Sequence, residues 1–136
     1  MKVSHSSAHK DFLFIIESYE KLLPRWTFPY LGFTLAGMIV FVAWFGGRVL
    51  FPTFTLIPRI LSLWSIALLE YIVLIPTIGA SVEILEIPES TLAVLIHAAQ
   101  LAMFFLLNNF LLKSVFTLRH AFAFSLMIFA IFLVAF

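Results

Sequence analysis

Four stretches of this chain, residues 28–47, 60–79, 91–112 and 119–136, are apolar almost throughout. An α-helix rises 1.5 Å per residue, so about 20 apolar residues cross a hydrocarbon core of about 30 Å, and no other feature of the sequence constrains the fold so strongly. The first stretch has no charge and ends at Arg48; the second carries one charge, Glu70, at its middle; the third ends at Lys113; the fourth opens on Arg119. The composition agrees, with 63% apolar and 11% charged residues against roughly 45–50% and about 25% in soluble domains. An ordinary soluble domain, a disordered chain and a nucleic-acid-binding protein are excluded, because each needs far more charge. The connections 48–59, 80–90 and 113–118 are short, which makes sequential helices antiparallel neighbours. A β-barrel would need alternating segments, and runs such as residues 101–107 do not alternate.

The expected fold is therefore an all-α integral membrane protein: four transmembrane helices in a compact antiparallel bundle, preceded by an amphipathic N-terminal helix. Residues 1–27 form the tail and 28–136 the membrane domain. Helices approach closely in lipid where their residues are small. Gly32 with Ala36, Ala43 with Gly47, and Ala98 with Ala102 supply such steps. In the tail, placing residues 11–23 at 100° intervals puts Phe12, Ile15, Ile16, Tyr19, Leu22 and Leu23 on one arc and Asp11, Glu17, Ser18, Glu20 and Lys21 on the other. Leu13 and Phe14 interrupt the polar arc, so this helix suits the membrane interface or a neighbouring helix. A cleavable signal peptide is not expected, since the first apolar run begins only near residue 28.

Glu70 stands out, because an ionisable group in mid-membrane is costly and marks a functional site by default. Counting depth along the spans places Gln100 at its level, His97 one turn shallower, and Gly37 and Ala130 nearby. A polar cluster of Glu70, Gln100 and His97 facing Gly37 is expected. It would serve either as a proton- or cation-coupling site or as a hydrogen-bonded tie between helices. Arg48, Arg59, Lys113 and Arg119 gather at one set of helix ends, with Asn108, Asn109 and His120, and suit anionic lipid head groups or simple interfacial anchoring. Lys2, Lys10, Lys21 and Arg25 on the other side tie the basic count at four to four, so orientation is open.

Catalytic signatures are lacking. There is no phosphate loop, nucleophile elbow or His-Glu-x-x-His, and no cysteine. Glu83, Glu86 and Glu89 repeat every third residue, but no His or Asp completes a metal set, and a solvated acidic loop is the simpler reading. His97 as a haem or pigment ligand is conceivable, but a hydrogen-bonded core histidine is the favoured reading. No enzyme activity, metal or cofactor is expected. The 17 Phe residues offer surface to lipid, pigment or partner helices.

The order of short motifs carries a resemblance. Ala43-Trp44-Phe45-Gly46 at the end of the first span, Glu70-Tyr71 and then Ile75-Pro76 in the second, and a polar-punctuated third span resemble a bacterial family of short four-helix proteins in the drug/metabolite transporter superfamily. The resemblance covers about residues 33–136 and rests on Trp44, Gly46, Glu70, Tyr71 and Pro76. It implies a four-span bundle related to small transporters that pair as dimers. The chain departs from the family pattern at Thr77-Ile78-Gly79, where Ala-Asn-Arg is usual. It departs again at Ala98-Ala99-Gln100, where a glutamate is usual, and at Lys113-Ser114-Val115, where Lys-Glu-Pro is usual.

Two readings follow. With its polar inventory thinned, the chain suits a non-catalytic accessory subunit of a larger photosynthetic or respiratory membrane complex. With Glu70 retained, it suits a small proton-coupled transporter working as a homodimer. Its partners would be membrane lipids and other membrane subunits or a second copy, with no nucleic acid, in a bacterial inner membrane or an organelle membrane.

Overall fold

The structure, a computed structural model, describes residues 7–113 and 116–135, with side chains as far as residue 133. Lys2, His5, Ser114, Val115 and Phe136 lie outside the described residues. Among the described residues there is no strand. The elements are α1 (Ser7–Glu20), a 3-10 turn (Arg25–Thr27), α2 (Phe28–Phe45), the short α3 (Gly47–Leu50), α4 (Leu56–Glu83), α5 (Glu89–Leu111) and α6 (Leu118–Ala135). The segments Arg25–Phe45, Leu56–Glu83 and Glu89–Leu111 are long and apolar enough to cross a membrane, and Leu118–Leu133 is a shorter apolar stretch.

Each helix begins and ends where local chemistry requires. Pro29 sits in the first turn of α2, where its missing N–H costs nothing and its fixed φ suits the helix. Pro88 immediately precedes α5. Glu86 and Lys113 take positive φ values of 55° and 47°, turning the chain after α4 and after α5. α4 runs to 28 residues, longer than the 60–79 stretch, and continues through Pro76. Proline has no N–H to give the carbonyl four residues back, here Ile72. At the next residue, the Thr77 hydroxyl donates to the Val73 carbonyl at 2.6 Å.

α2 is the hub. Its residues Phe33, Ala36, Gly37, Val40, Phe41 and Ala43 are buried, while Leu31, Leu35, Met38 and Phe45 form an exposed stripe. On one side it meets α4 running the opposite way. A Cβ added to Gly32 would fall on the Thr77 side chain, and one added to Gly47 would come within 2.9 Å of Leu63 and 3.5 Å of Arg59. On the other side it runs alongside α5. A Cβ at Gly37 would lie 3.3 Å from the Gln100 Cα, and Phe41 meets Phe104 edge-on with ring centroids 5.5 Å apart.

α4 and α5 touch each other only slightly. α2 thus lies between α4 and α5, and α6 packs on α5. The reason is the distribution of small residues. Gly32, Ala36, Gly37, Ala43 and Gly47 all belong to α2 or its immediate end, so backbones can approach closely there. α6 is fastened through Phe105, Phe116 and Phe124, whose ring centroids lie 4.6 to 5.7 Å apart.

The amphipathic segment folds back onto the membrane domain. α1 begins earlier and ends sooner than the 11–23 pattern, leaving Leu22 exposed in the turn. Ile16 is 1% exposed and forms a core with Phe28 and Ala80, joined by Phe12, Ile15, Tyr19, Ile84 and Leu85. The Phe12 ring occupies the space a side chain at Gly79 would take. Tyr19 donates to the Thr27 hydroxyl at 2.6 Å, which donates in turn to the Pro24 carbonyl at 2.7 Å. His9 Nδ1 lies 3.3 Å from a Glu83 carboxylate oxygen.

Candidate functional site

Glu70 has 14 residues of α4 before it and 13 after it, so it lies at the midpoint of the helix. It lines a cavity of about 400 Å³ together with His97 and Gln100 of α5, Val40 and Trp44 of α2, Phe104 and Met127. This cavity is lined from α2, α4, α5 and α6.

Three polar groups therefore share one cleft between apolar and aromatic walls. His97 Nδ1 lies 2.6 Å from the Ala93 carbonyl. A carbonyl can only accept, so the neutral ring donates from Nδ1 and keeps Nε2 as an acceptor. Among the described residues no group makes a hydrogen bond to the Glu70 carboxyl. Trp44 and Phe104 meet edge-on at 5.7 Å, giving the cleft an aromatic corner. Carboxylate, imidazole, amide and ring faces in one cavity can bind a cation or exchange a proton.

The expected neighbours differ in two respects. Gly37 does not face Glu70 but is buried against the α5 backbone at Ala99 and Gln100, and Val40 and Trp44 supply the α2 lining. Met127 of α6, rather than Ala130, reaches the cavity. Depth counting treats helices as straight and parallel, and α6 packs on α5 rather than on α4. Trp44 entered the sequence reading only as a motif residue; nothing in the spacing revealed that, although 69% exposed, it lines this cavity.

The other sequence-derived residues are dispersed. Gly46 is the junction between α2 and α3, Tyr71 is 54% exposed, and Pro76 lies inside α4, so of the motif residues only Trp44 and Glu70 share a cavity. Arg48 and Arg59 line a second cavity at the end of α2. Arg119 and His120 line another, where His120 Nδ1 accepts from the Thr117 amide at 3.2 Å. Lys113 follows α5 in its own turn. Among the described residues no group of three His, Asp or Glu side chains is placed to hold a metal ion.

The family described as "Putative member of DMT superfamily (DUF486)" matches residues 31–135. The chain belongs to this family. The match takes in α4, α5 and all but the first turn of α2, and with them Trp44, Glu70, His97 and Gln100. Membership in the DMT family together with three long apolar helices makes this an integral membrane protein. No curated protein and no solved structure matches the chain.

Proposed function

We propose that this DMT-family chain is a small transporter that couples proton movement to a lipophilic cation through Glu70, and that it performs no covalent chemistry. The observation that carries the reading is the Glu70 carboxyl, at mid-helix and free of hydrogen bonds from the described residues, beside a cavity open between α4 and α5. A structural tie would have found a partner across that gap. A carboxylate with Trp44 and Phe104 beside it offers a cation both a counter-charge and ring faces. His97, with Nε2 as its acceptor, and Gln100 supply a route for the proton.

The remaining architecture follows from this role. α6 has 18 residues, about 27 Å of helix at 1.5 Å per residue, close to the hydrocarbon thickness. We place it as a fourth crossing, giving four antiparallel spans. The cleft is open on one side, and a carboxylate facing lipid is costly. A second copy covering that side is the simplest remedy, so the working unit is a homodimer. The accessory-subunit reading rested on a polar inventory too thin for transport, and a cavity that gathers three of the remaining polar groups weakens that premise.

The test is proton release from purified protein in detergent on adding tetraphenylphosphonium as the probe cation. Wild-type protein should release protons and bind the probe more weakly as pH falls. Glu70→Gln should do neither while keeping its helical content and thermal stability. Equal proton release from both proteins would overturn the assignment of Glu70.

A further inference from the structure

The seven carboxylates of the chain are Asp11, Glu17, Glu20, Glu70, Glu83, Glu86 and Glu89. None lies at the end of the molecule where α2 and α5 finish and α4 begins. Four cations do: Arg48, Arg59, Lys113 and Arg119. Two of them share a cavity of about 580 Å³, in which Arg48 and Arg59 face Trp44, Phe45, Leu63 and Leu112.

The local chain holds Arg59 in place without neutralising it, while Arg48 is exposed. One Arg59 terminal nitrogen donates to the Phe54 carbonyl at 2.9 Å and more weakly to the Pro52 carbonyl at 3.3 Å, and its side-chain stem lies over Gly47. Its Nε is buried with no partner among the described residues. Arg48 forms no ion pair among the described residues. Backbone carbonyls orient a guanidinium but leave its charge uncompensated, and a partly desolvated cation needs an anion. The planar fork of arginine suits phosphate oxygens two at a time. The rest of the cavity is apolar and continues toward the spans along Phe45, Leu63 and Leu112.

We infer that this cavity binds a phosphate anion between Arg48 and Arg59, with an apolar chain attached to that phosphate lying along Phe45, Leu63 and Leu112. The lining combines two guanidinium groups with apolar side chains, which is the chemistry an anionic phospholipid requires. No carboxylate is present to receive the ammonium of a zwitterionic head group, so net-anionic lipids are preferred. The site is separate from the Glu70 cleft, although Trp44 lines both cavities.

Trp44 makes the site observable. The variant Trp26→Phe/Trp64→Phe leaves Trp44 as the only tryptophan. It is reconstituted in phosphatidylcholine vesicles containing a minor fraction of either dibrominated phosphatidylglycerol or dibrominated phosphatidylcholine, bromine being a contact quencher. Quenching by the brominated anionic lipid should be several-fold stronger. Arg48→Gln should reduce it to the phosphatidylcholine level, and Glu70→Gln should leave it unchanged. Arg48→Gln is the decisive change, because Arg59 also holds the turn between α3 and α4 and its replacement can disturb folding. If inorganic phosphate reverses the quenching, or shifts Trp44 emission without any lipid preference, the anion is soluble phosphate rather than lipid. Equal quenching by both lipids with no response to inorganic phosphate would overturn the site, as would a lipid preference that survives Arg48→Gln.

Discussion

At the scale of single residues, Gly37 and Glu70 show opposite demands on one membrane domain. Gly37 is needed for what it lacks. A Cβ there would meet the Gln100 Cα at 3.3 Å and the Ala99 carbonyl oxygen at 3.4 Å, both backbone atoms that cannot rotate away. Gly37→Ala should be nearly tolerated. Gly37→Leu should push α5 off α2 at a cost of about 1–3 kcal/mol, typical of overpacking, and lower the thermal midpoint in detergent. An unchanged midpoint for the leucine variant would refute the close approach. Glu70 is needed for what it carries, and its position was legible in the sequence because a charge inside an apolar run has no other reading than a special one. Its companions were half legible. Counting turns found His97 and Gln100, but it could not find Trp44, whose place on the cavity lining depends on how α2 is rotated between its two neighbours.

At the scale of elements, α1 shows how an amphipathic pattern is resolved by contact. Its apolar arc could have lain on lipid head groups. Instead Phe12 enters the notch at Gly79 and Ile16 is sealed against Phe28 and Ala80. The connection to α2 is clasped by Arg25, whose Nε donates to Glu20 at 2.5 Å. That bond holds the Glu20 carboxyl below the usual 4.5 of a glutamate. A carboxyl whose pKa is depressed on folding contributes stability above its unfolded value and loses it as pH falls through the folded value. The clasp should therefore be complete above about pH 4.5 and open below it, with a small effect because both groups face solvent. In a Trp44→Phe/Trp64→Phe background, Trp26 emission should show an acid transition below pH 4.5 that Glu20→Gln removes. A transition that persists in the glutamine variant would assign it to another group.

At the scale of the whole molecule, the arrangement has an open side. α2 lies between α4 and α5, the Glu70 cleft is lined from these three helices and α6, and α6 presents Phe122, Leu126, Phe129 and Phe132 outward. The proposed homodimer predicts a native mass in mild detergent, after subtraction of bound detergent, of two chains of 15.5 kDa. A monomer, or a stoichiometric complex with other subunits, would count against it, and the second result would restore the accessory-subunit reading. The sequence by itself determined the membrane class, the long apolar helices, the amphipathic start and the mid-helix carboxylate, because hydrophobic periodicity and run length are local properties fixed by helix rise and bilayer thickness. Only the tertiary structure decided that α2 is the hub, that Trp44 lines two cavities, and that Arg48 and Arg59 line one of them together. Those outcomes depend on the rotation and crossing of helices about their axes. Nearly every face of such helices is apolar, so no polar stripe in the sequence tells one rotation from another, and the close approaches allowed by glycine select among them.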